Sequence, residues 1–402
     1  MKQIAVKYLF DIFSGSTPES GQPLFWDGEF NWFTPDDLGK IGYKIYVTDS
    51  NRKVTDQGIT NSNLRFVKPN SIIITKRAPI GNLAIVTEQS SCNQGCFFLE
   101  QKITEINIKY YYYFFAIQKN RLNSLGRGST FLELNADEMK GYKAPHPKLS
   151  LQNKIVEYLD SEIAKIEALI EKKNKLIALL EEKKKAVINQ AVTKGLDLNV
   201  PMKDTGIEWL GKIPQHWEVV KLKYLVNKID EQNQADVQLK IAVENVLGFS
   251  GKLINLESFD YEGITSNFKN NDIIFNKLRP YLGKVYLARE EGGVYGELLV
   301  LRPNEKLVPK FLFYLMISTN FIDLVNSSTT GTKMPRASWE DFIRYIHIPV
   351  ISLDEQQSIV DFLDKALGKN EELSVKLQYS INILKEKRTA MISAAINGEI
   401  EL

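Results

Sequence analysis

Two loops of this 402-residue chain set cations between turn-forming residues. The first reads Thr75-Lys76-Arg77-Ala78-Pro79-Ile80-Gly81-Asn82 and the second Asn276-Lys277-Leu278-Arg279-Pro280-Tyr281-Leu282-Gly283-Lys284. Lysine holds a phosphate as a point charge, whereas the arginine fork pairs bidentately with the guanine edge. Thr75, Lys76, Arg77 and Asn82, and Asn276, Lys277, Arg279, Tyr281 and Lys284, are therefore candidate nucleic-acid contacts; a soluble turn has the same composition. A second loop pair, Gly126-Arg127-Gly128-Ser129-Thr130 and Thr330-Gly331-Thr332-Lys333-Met334-Pro335-Arg336, sets small hydroxyl residues beside glycine and cations. That pattern suits close backbone approach to a phosphate through Arg127, Ser129, Thr130, Thr332, Lys333 and Arg336, or equally a connector into the next element. Asn93 and Gln94 have the amides that read adenine, at a place where a strand-end turn is as plausible. The aromatic run Tyr110–Phe115 reads as helix core rather than as a stacking platform.

Catalytic patterns do not appear. There is no Gly-x-x-x-x-Gly-Lys-Ser/Thr loop, no Gly-x-Ser-x-Gly elbow and no His-Glu-x-x-His. No Asn/Asp-Pro-Pro-aromatic tetrad or glycine-rich strand-to-helix turn stands ready to hold S-adenosylmethionine. The two cysteines, Cys92 and Cys96, have no second pair and read as structural, and three scattered histidines leave little for a zinc site. Low cysteine content and the lack of a long apolar run point to a cytoplasmic chain without membrane spans. Net charge is only +2, with most of the basic excess in residues 1–148, where 18 basic residues face 14 acidic ones. A DNA binder this close to neutrality is expected to work with partners. The chain reads as a binding protein rather than an enzyme.

The elements that must position these loops are duplicated. Leu149–Val192 aligns without a gap to Leu353–Ile396, and 17 of 44 positions are identical. Upstream, Asn70–Lys76 matches Asn271–Lys277, Gly95 matches Gly296, Tyr110–Phe115 matches Phe311–Met316, and Lys7-Tyr8-Leu9 matches Lys223-Tyr224-Leu225. Short β-branched runs at Ser71–Thr75, Leu83–Thr87, Asp272–Phe275 and Lys284–Ala288 predict strands. Tyr110–Leu125 and Pro309–Val325 predict one helix each.

The repeated segments predict two long helices. Ser352 and Glu355 have capping-box spacing, with Ser150 in the equivalent place. Apolar residues recur at Leu159, Ile163, Ile166, Ile170, Ile177 and Leu180, interrupted by Lys173, and at Leu363, Leu367, Leu373, Leu377, Ile381 and Leu384, with Asn370 in the seam. Alternating steps of three and four make a coiled-coil stripe, on a rod of roughly 66 Å at ~1.5 Å per residue. Its natural partner is its own copy. Two copies of one fold pack with pseudo-two-fold symmetry, which makes the helices antiparallel. The expected class is α+β: a strand-rich unit over 1–148, a long helix over 149–195, a linker and second unit over 196–350, and a second long helix over 351–402.

In this order the motifs resemble the specificity subunits of type I restriction–modification systems. The features that carry the resemblance are Ser14-Gly15-Ser16-Thr17-Pro18, Trp32-Phe33-Thr34-Pro35-Asp36-Asp37-Leu38, Ala78-Pro79-Ile80-Gly81 and Asn93-Gln94-Gly95 in the first unit. In the second they are Ile213-Pro214-x-x-Trp217-Glu218 and Lys277–Gly283, joined by Pro-x-x-x-Leu-x-x-Gln at both helix openings. The resemblance implies two target-recognition domains in tandem, each reading half of a bipartite site in double-stranded DNA, with the antiparallel helices as the ruler between them. It implies two modification subunits that methylate adenine with S-adenosylmethionine, restriction subunits that bring ATP and Mg, and no cofactor on this chain. A coiled-coil adaptor without a nucleic-acid role is the alternative; its units would show apolar patches in place of basic loops.

Overall fold

A computed structural model describes residues 2–42, 44–128, 132–197, 199–231, 239–256 and 266–401. The chain divides into two compact units: residues 1–173 with 379–402, and residues 174–378. Each unit therefore owns one strand-rich body and one half of each long helix.

In the first unit a five-stranded sheet runs in the order Phe10–Ser14, Cys96–Gln101, Ser71–Thr75, Leu83–Val86, Tyr46–Val47. All neighbours are antiparallel except the last pair. The central strand Ser71–Thr75 is buried on both faces, and its alternation sorts the core. Ile72 and Ile74 face a cluster with the aromatic helix Ile108–Ala116, while Ile73 faces Phe33, Leu38 and Phe98. The second unit repeats this with Val226–Ile229, Leu298–Pro303, Ile273–Asn276 and Val285–Leu287. Ile273 and Phe275 face the helix side and Ile274 the other. The predicted strands are present: Ser71–Thr75 as expected, the others shifted by one residue or shortened by one at one or both ends.

Each predicted single helix after the sheet is two. Ile108–Ala116 is followed by Lys119–Ser124, and Pro309–Ile317 by Thr319–Ser327, where the Ser318 hydroxyl caps the second helix by accepting from Phe321 N–H at 3.4 Å. Phe311–Ile317 and Tyr110–Phe115 are all buried. The aromatic run is core, where it cannot stack on a base.

The long helices span Leu149–Lys194 and Leu353–Asn397. Within the first unit Ile155, Val156 and Leu159 share a core with Ile392, Ala395 and Ile396. Within the second, Ile188, Ala191 and Val192 share one with Ile359, Val360 and Leu363. In both units the start of one helix meets the end of the other, so the pairing is antiparallel. Two details differ from the sequence reading. Leu373 is 42% exposed, and from Asn370, as expected, the stripe passes instead through Ser374, keeping the alternation of three and four that a supercoiled seam requires. Asn370 Nδ2 donates to the Leu180 carbonyl at 2.8 Å, which registers the helices in the second unit. Ser150 lies inside the first helix, so the capping position equivalent to Ser352 is Lys148. Ser352 does accept from Glu355 N–H at 3.3 Å. The Glu355 carboxylate, however, accepts from Trp217 Nε1 at 3.0 Å and meets His216 at 3.0 Å rather than closing a capping box. The Pro214-x-x-Trp217 motif thus ties the linker to the second helix, with the buried indole also packed on Gly195 at the end of the first helix.

Two clamps, one buried and one partly exposed, hold each helix to its strand-rich body, and both are duplicated. Gln152 accepts from Asn107 N–H at 2.8 Å and donates to the Pro147 and Glu105 carbonyls. Gln356 accepts from Val308 N–H at 2.8 Å and donates to the Lys306 and Ile351 carbonyls. Two turns later the Asp160 carboxylate takes Tyr113 Oη and Lys109 Nζ, each at 2.6 Å, as Asp364 takes Tyr314 Oη and Lys310 Nζ. Burial and the carboxylate bond together push both tyrosine hydroxyls far above their ordinary pKa, so they remain donors. Gln356→Ala removes the partner of three backbone groups, of which the Ile351 carbonyl is in a fully buried bond, and costs about 3 kcal/mol. Amide exchange in Pro309–Ile317 is expected to accelerate by roughly 100-fold or more, as follows from about 3 kcal/mol; a change under fivefold would refute the clamp.

Candidate nucleic-acid interface

Each unit brings its two predicted loops together. In the first, Lys76 N–H donates to the Gly95 carbonyl at 2.9 Å and Leu134 N–H donates to the Lys76 carbonyl at 2.9 Å. Arg127 and Glu133 close the base of the second loop through paired backbone bonds of 3.0 Å. In the second unit Lys277 N–H donates to the Glu297 carbonyl at 3.1 Å, Ala337 N–H donates to the Lys277 carbonyl at 2.9 Å, and Thr330 and Arg336 close the loop.

Two cations of each loop pair share one carboxylate. Lys76 Nζ lies 2.8 Å and Arg77 Nη1 3.6 Å from the two oxygens of Glu133. Lys277 lies 3.7 Å from Glu297, whose other oxygen takes Arg336. The Glu297 oxygen facing Lys277 is buried and beyond hydrogen-bond range of any partner, so that contact is an ion pair only. Arg127 reaches Glu138 at 2.6 Å. The pairs of Arg127 and Arg336, whose side chains are largely exposed, contribute about 0–1 kcal/mol each, whereas Lys76 is largely covered. The pairs orient the cations on the loop surface.

The structure redistributes the predicted roles. Thr75 and Asn276 are buried and turned inward. Thr75 Oγ1 donates to the Pro79 carbonyl at 2.5 Å and accepts from Asn82 N–H at 3.0 Å, while Asn276 bonds both the N–H and the carbonyl of Leu278. Neither can touch DNA without unfolding its loop, so they are loop organisers and not contacts. Asn93 likewise spends its carbonyl on Gly95 N–H at 2.8 Å, as a strand-end turn does, whereas Gln94 is exposed and accepts from Thr17. Asn82 holds Lys119 Nζ at 2.9 Å, and Lys284 donates to the Val243 carbonyl at 2.7 Å. Tyr281, 49% exposed, stands at the loop apex. Arg279 donates to the Lys333 carbonyl at 3.4 Å, and Thr332, Lys333 and Arg336 are exposed. Ser129 and Thr130 lie outside the described residues. Ala78 and Arg279 both precede proline in the left-handed region, at φ 54° and 50°. Non-glycine residues rarely hold that conformation, and such strain persists where a surrounding structure enforces it, often at functional sites.

Sequence reasoning missed Glu133, Glu297 and Lys119. Glu133 lies more than fifty residues from the cations it collects, and nothing local marks it. Cys92 and Cys96 are free and buried, and burial pushes the Cys92 thiol up to about 12. Among the described residues no cluster could hold a metal ion, and no helix is long and apolar enough to cross a membrane.

A family model described as the type I restriction modification DNA specificity domain matches residues 1–179 and again 214–381. The chain belongs to that family. The specificity subunit of the type I restriction enzyme MjaIX from Methanocaldococcus jannaschii is 27% identical over 99% of this chain and 93% of its own length. That of the Escherichia coli enzyme EcoDI is 22% identical over 74% and 72%. A chain from a solved type I restriction–modification assembly shares the fold at TM-score 0.73 and 15% identity, covering 99% of this chain and 98% of that one. The HsdS subunit of Thermoanaerobacter tengcongensis does so at 0.54 and 15%, covering 99% and 97%. Membership makes this chain a non-catalytic specificity subunit with two specificity domains in tandem.

Proposed function

We propose that the chain is the DNA-reading subunit of a type I restriction–modification complex in the cytoplasm. Each unit reads one half of a bipartite site in double-stranded DNA, and the paired helices set the gap and dock two modification subunits. Those subunits bring S-adenosylmethionine and flip the adenine out of the duplex for methylation; restriction subunits, where the complex includes them, bring ATP and Mg. The contacts proposed for the first unit are Lys76, Arg77, Asn82, Gln94 and Arg127, and for the second Lys277, Arg279, Tyr281, Lys284, Thr332, Lys333 and Arg336. The observation that carries this reading is the duplicated loop pair, with its cations gathered by ion pairs at partly exposed sites where each loop leaves an interior strand of a rigid sheet. Loops on a rigid scaffold are where recognition residues concentrate.

Methylome sequencing of cells with and without the chain tests it. The expected result is a split adenine-methylated motif that disappears on deletion. A methylome that is identical in both strains would overturn the proposal.

A further inference from the structure

The backbone hydrogen bonds align the two loop pairs residue by residue, independently of the letters. Lys76 and Lys277 make the same two bonds, to Gly95 or Glu297 on one side and from Leu134 or Ala337 on the other. Glu133 and Arg336 each immediately precede the residue that donates to the lysine, and each closes its loop, onto Arg127 or Thr330. They are therefore the same structural position carrying opposite charges. By the same register the left-handed position before proline is Ala78 in one unit and Arg279 in the other, and Arg77 corresponds to Leu278. The match that composition suggested between Arg77 and Arg279 is displaced by one residue.

The ion pair has been rebuilt around this reversal. In the first unit the carboxylate stands on the second loop, as Glu133, and faces the loop cations. In the second it stands at the position of Gly95, one residue beyond the Gly296 that the letters match to it, as Glu297, and holds Lys277 together with Arg336. The lysine is common to both units; what differs is whether the neighbouring loop offers an acceptor or a donor. Both side chains reach solvent, Glu133 at 39% exposure and Arg336 at 55%.

We propose that position 133/336 determines the base selected by each unit. This rests on the DNA-reading function above and names its chemistry. A carboxylate only accepts, and with about four lone-pair sites it can hold Lys76 and still take a further donor. In the major groove that donor is the amino group of cytosine or adenine. A guanidinium only donates, and the edge with two adjacent acceptors is guanine. The first unit therefore selects an amino-bearing base at the position Glu133 faces. The second unit selects guanine at the position Arg336 faces, with Arg279 adding a second fork nearby.

The test is a binding selection from DNA with each half-site randomised in turn, using the full chain assembled with its modification subunits. Glu133→Arg is expected to move one position of the first half from cytosine or adenine to guanine, by about 5- to 150-fold in relative affinity, leaving the second half untouched. Arg336→Glu is expected to do the reverse in the second half. Glu133→Gln keeps the side-chain volume and guards against misfolding; it should relax the first-half preference while binding persists. Equal loss of affinity across all sequences, or an unchanged base preference in the bound fraction, would overturn the assignment while leaving the DNA-reading function standing. A wild-type complex that selects no split site would overturn both.

Discussion

Lengthening both long helices by three heptads, between Lys173 and Asn174 and between Gln378 and Tyr379, should lengthen the preferred gap in the DNA site by about nine base pairs. The insertion points fall between the two compact units, so the contacts inside each survive. Twenty-one residues at ~1.5 Å add roughly 31 Å of helix, against ~3.4 Å per base pair of duplex. Whole heptads keep the stripe facing its partner, and nearly one full turn of DNA keeps both half-sites on the same side of the duplex. Four extra residues near Ala178 in the first helix alone are a poorer probe. They would carry Leu180 past Asn370 and break the register inside the second unit. Binding assays over a ladder of gap lengths would read the result, and an optimum that did not move would refute the helices as the ruler.

Arg279→Ala should weaken recognition of one half-site by about 5- to 150-fold and leave the other half unchanged; Arg77→Ala should do the converse. The estimate is the ~1–3 kcal/mol discrimination of one bidentate arginine–guanine pair. The structure argues that either change acts on the surface. Among the described residues Arg279 makes one side-chain hydrogen bond, to the Lys333 carbonyl at 3.4 Å, and Arg77 has a 3.6 Å ion pair. Titrations on DNA with each half separately scrambled distinguish reading from general attraction. A base contact loses its effect once its own half is scrambled, whereas a phosphate contact weakens all sequences alike and flattens the salt dependence. Equal losses on both halves would show that these arginines hold backbone rather than read sequence.

Much of this protein was legible before any coordinates. The duplication, the two long helices and their antiparallel sense followed from a repeated opening, Gln-x-x-Ile-Val, and a stripe of period near 3.5. Such patterns are local and one-dimensional, and a helix displays its buried face directly in its spacing. The repeated glutamine was visible as a letter, but its role was not. Only the fold shows that Gln152 and Gln356 fasten each helix to the chain segment ahead of the aromatic helix. The seam likewise ran from Asn370 to Leu373 because hydrophobicity suggested it, whereas packing chose Ser374 to keep the helical phase.

The site divides in the same way. Basic residues between glycine and proline mark loops by composition alone, since those residues supply the backbone angles that loops need. Which of them face outward was decided by tertiary structure. Thr75 and Asn276 end a central strand whose neighbours cover both faces, so their polar groups must be satisfied inside the loop. Glu133 and Glu297 meet the loop lysines across distances in sequence that no motif spans, and the equivalence of Glu133 with Arg336 exists only in backbone hydrogen bonds. Sequence determined that two like units carry two basic loops each, because turn chemistry and helical period are written in neighbouring residues. Tertiary structure alone decided how the charges are arranged on those loops, because that arrangement depends on strands brought side by side from distant parts of the chain.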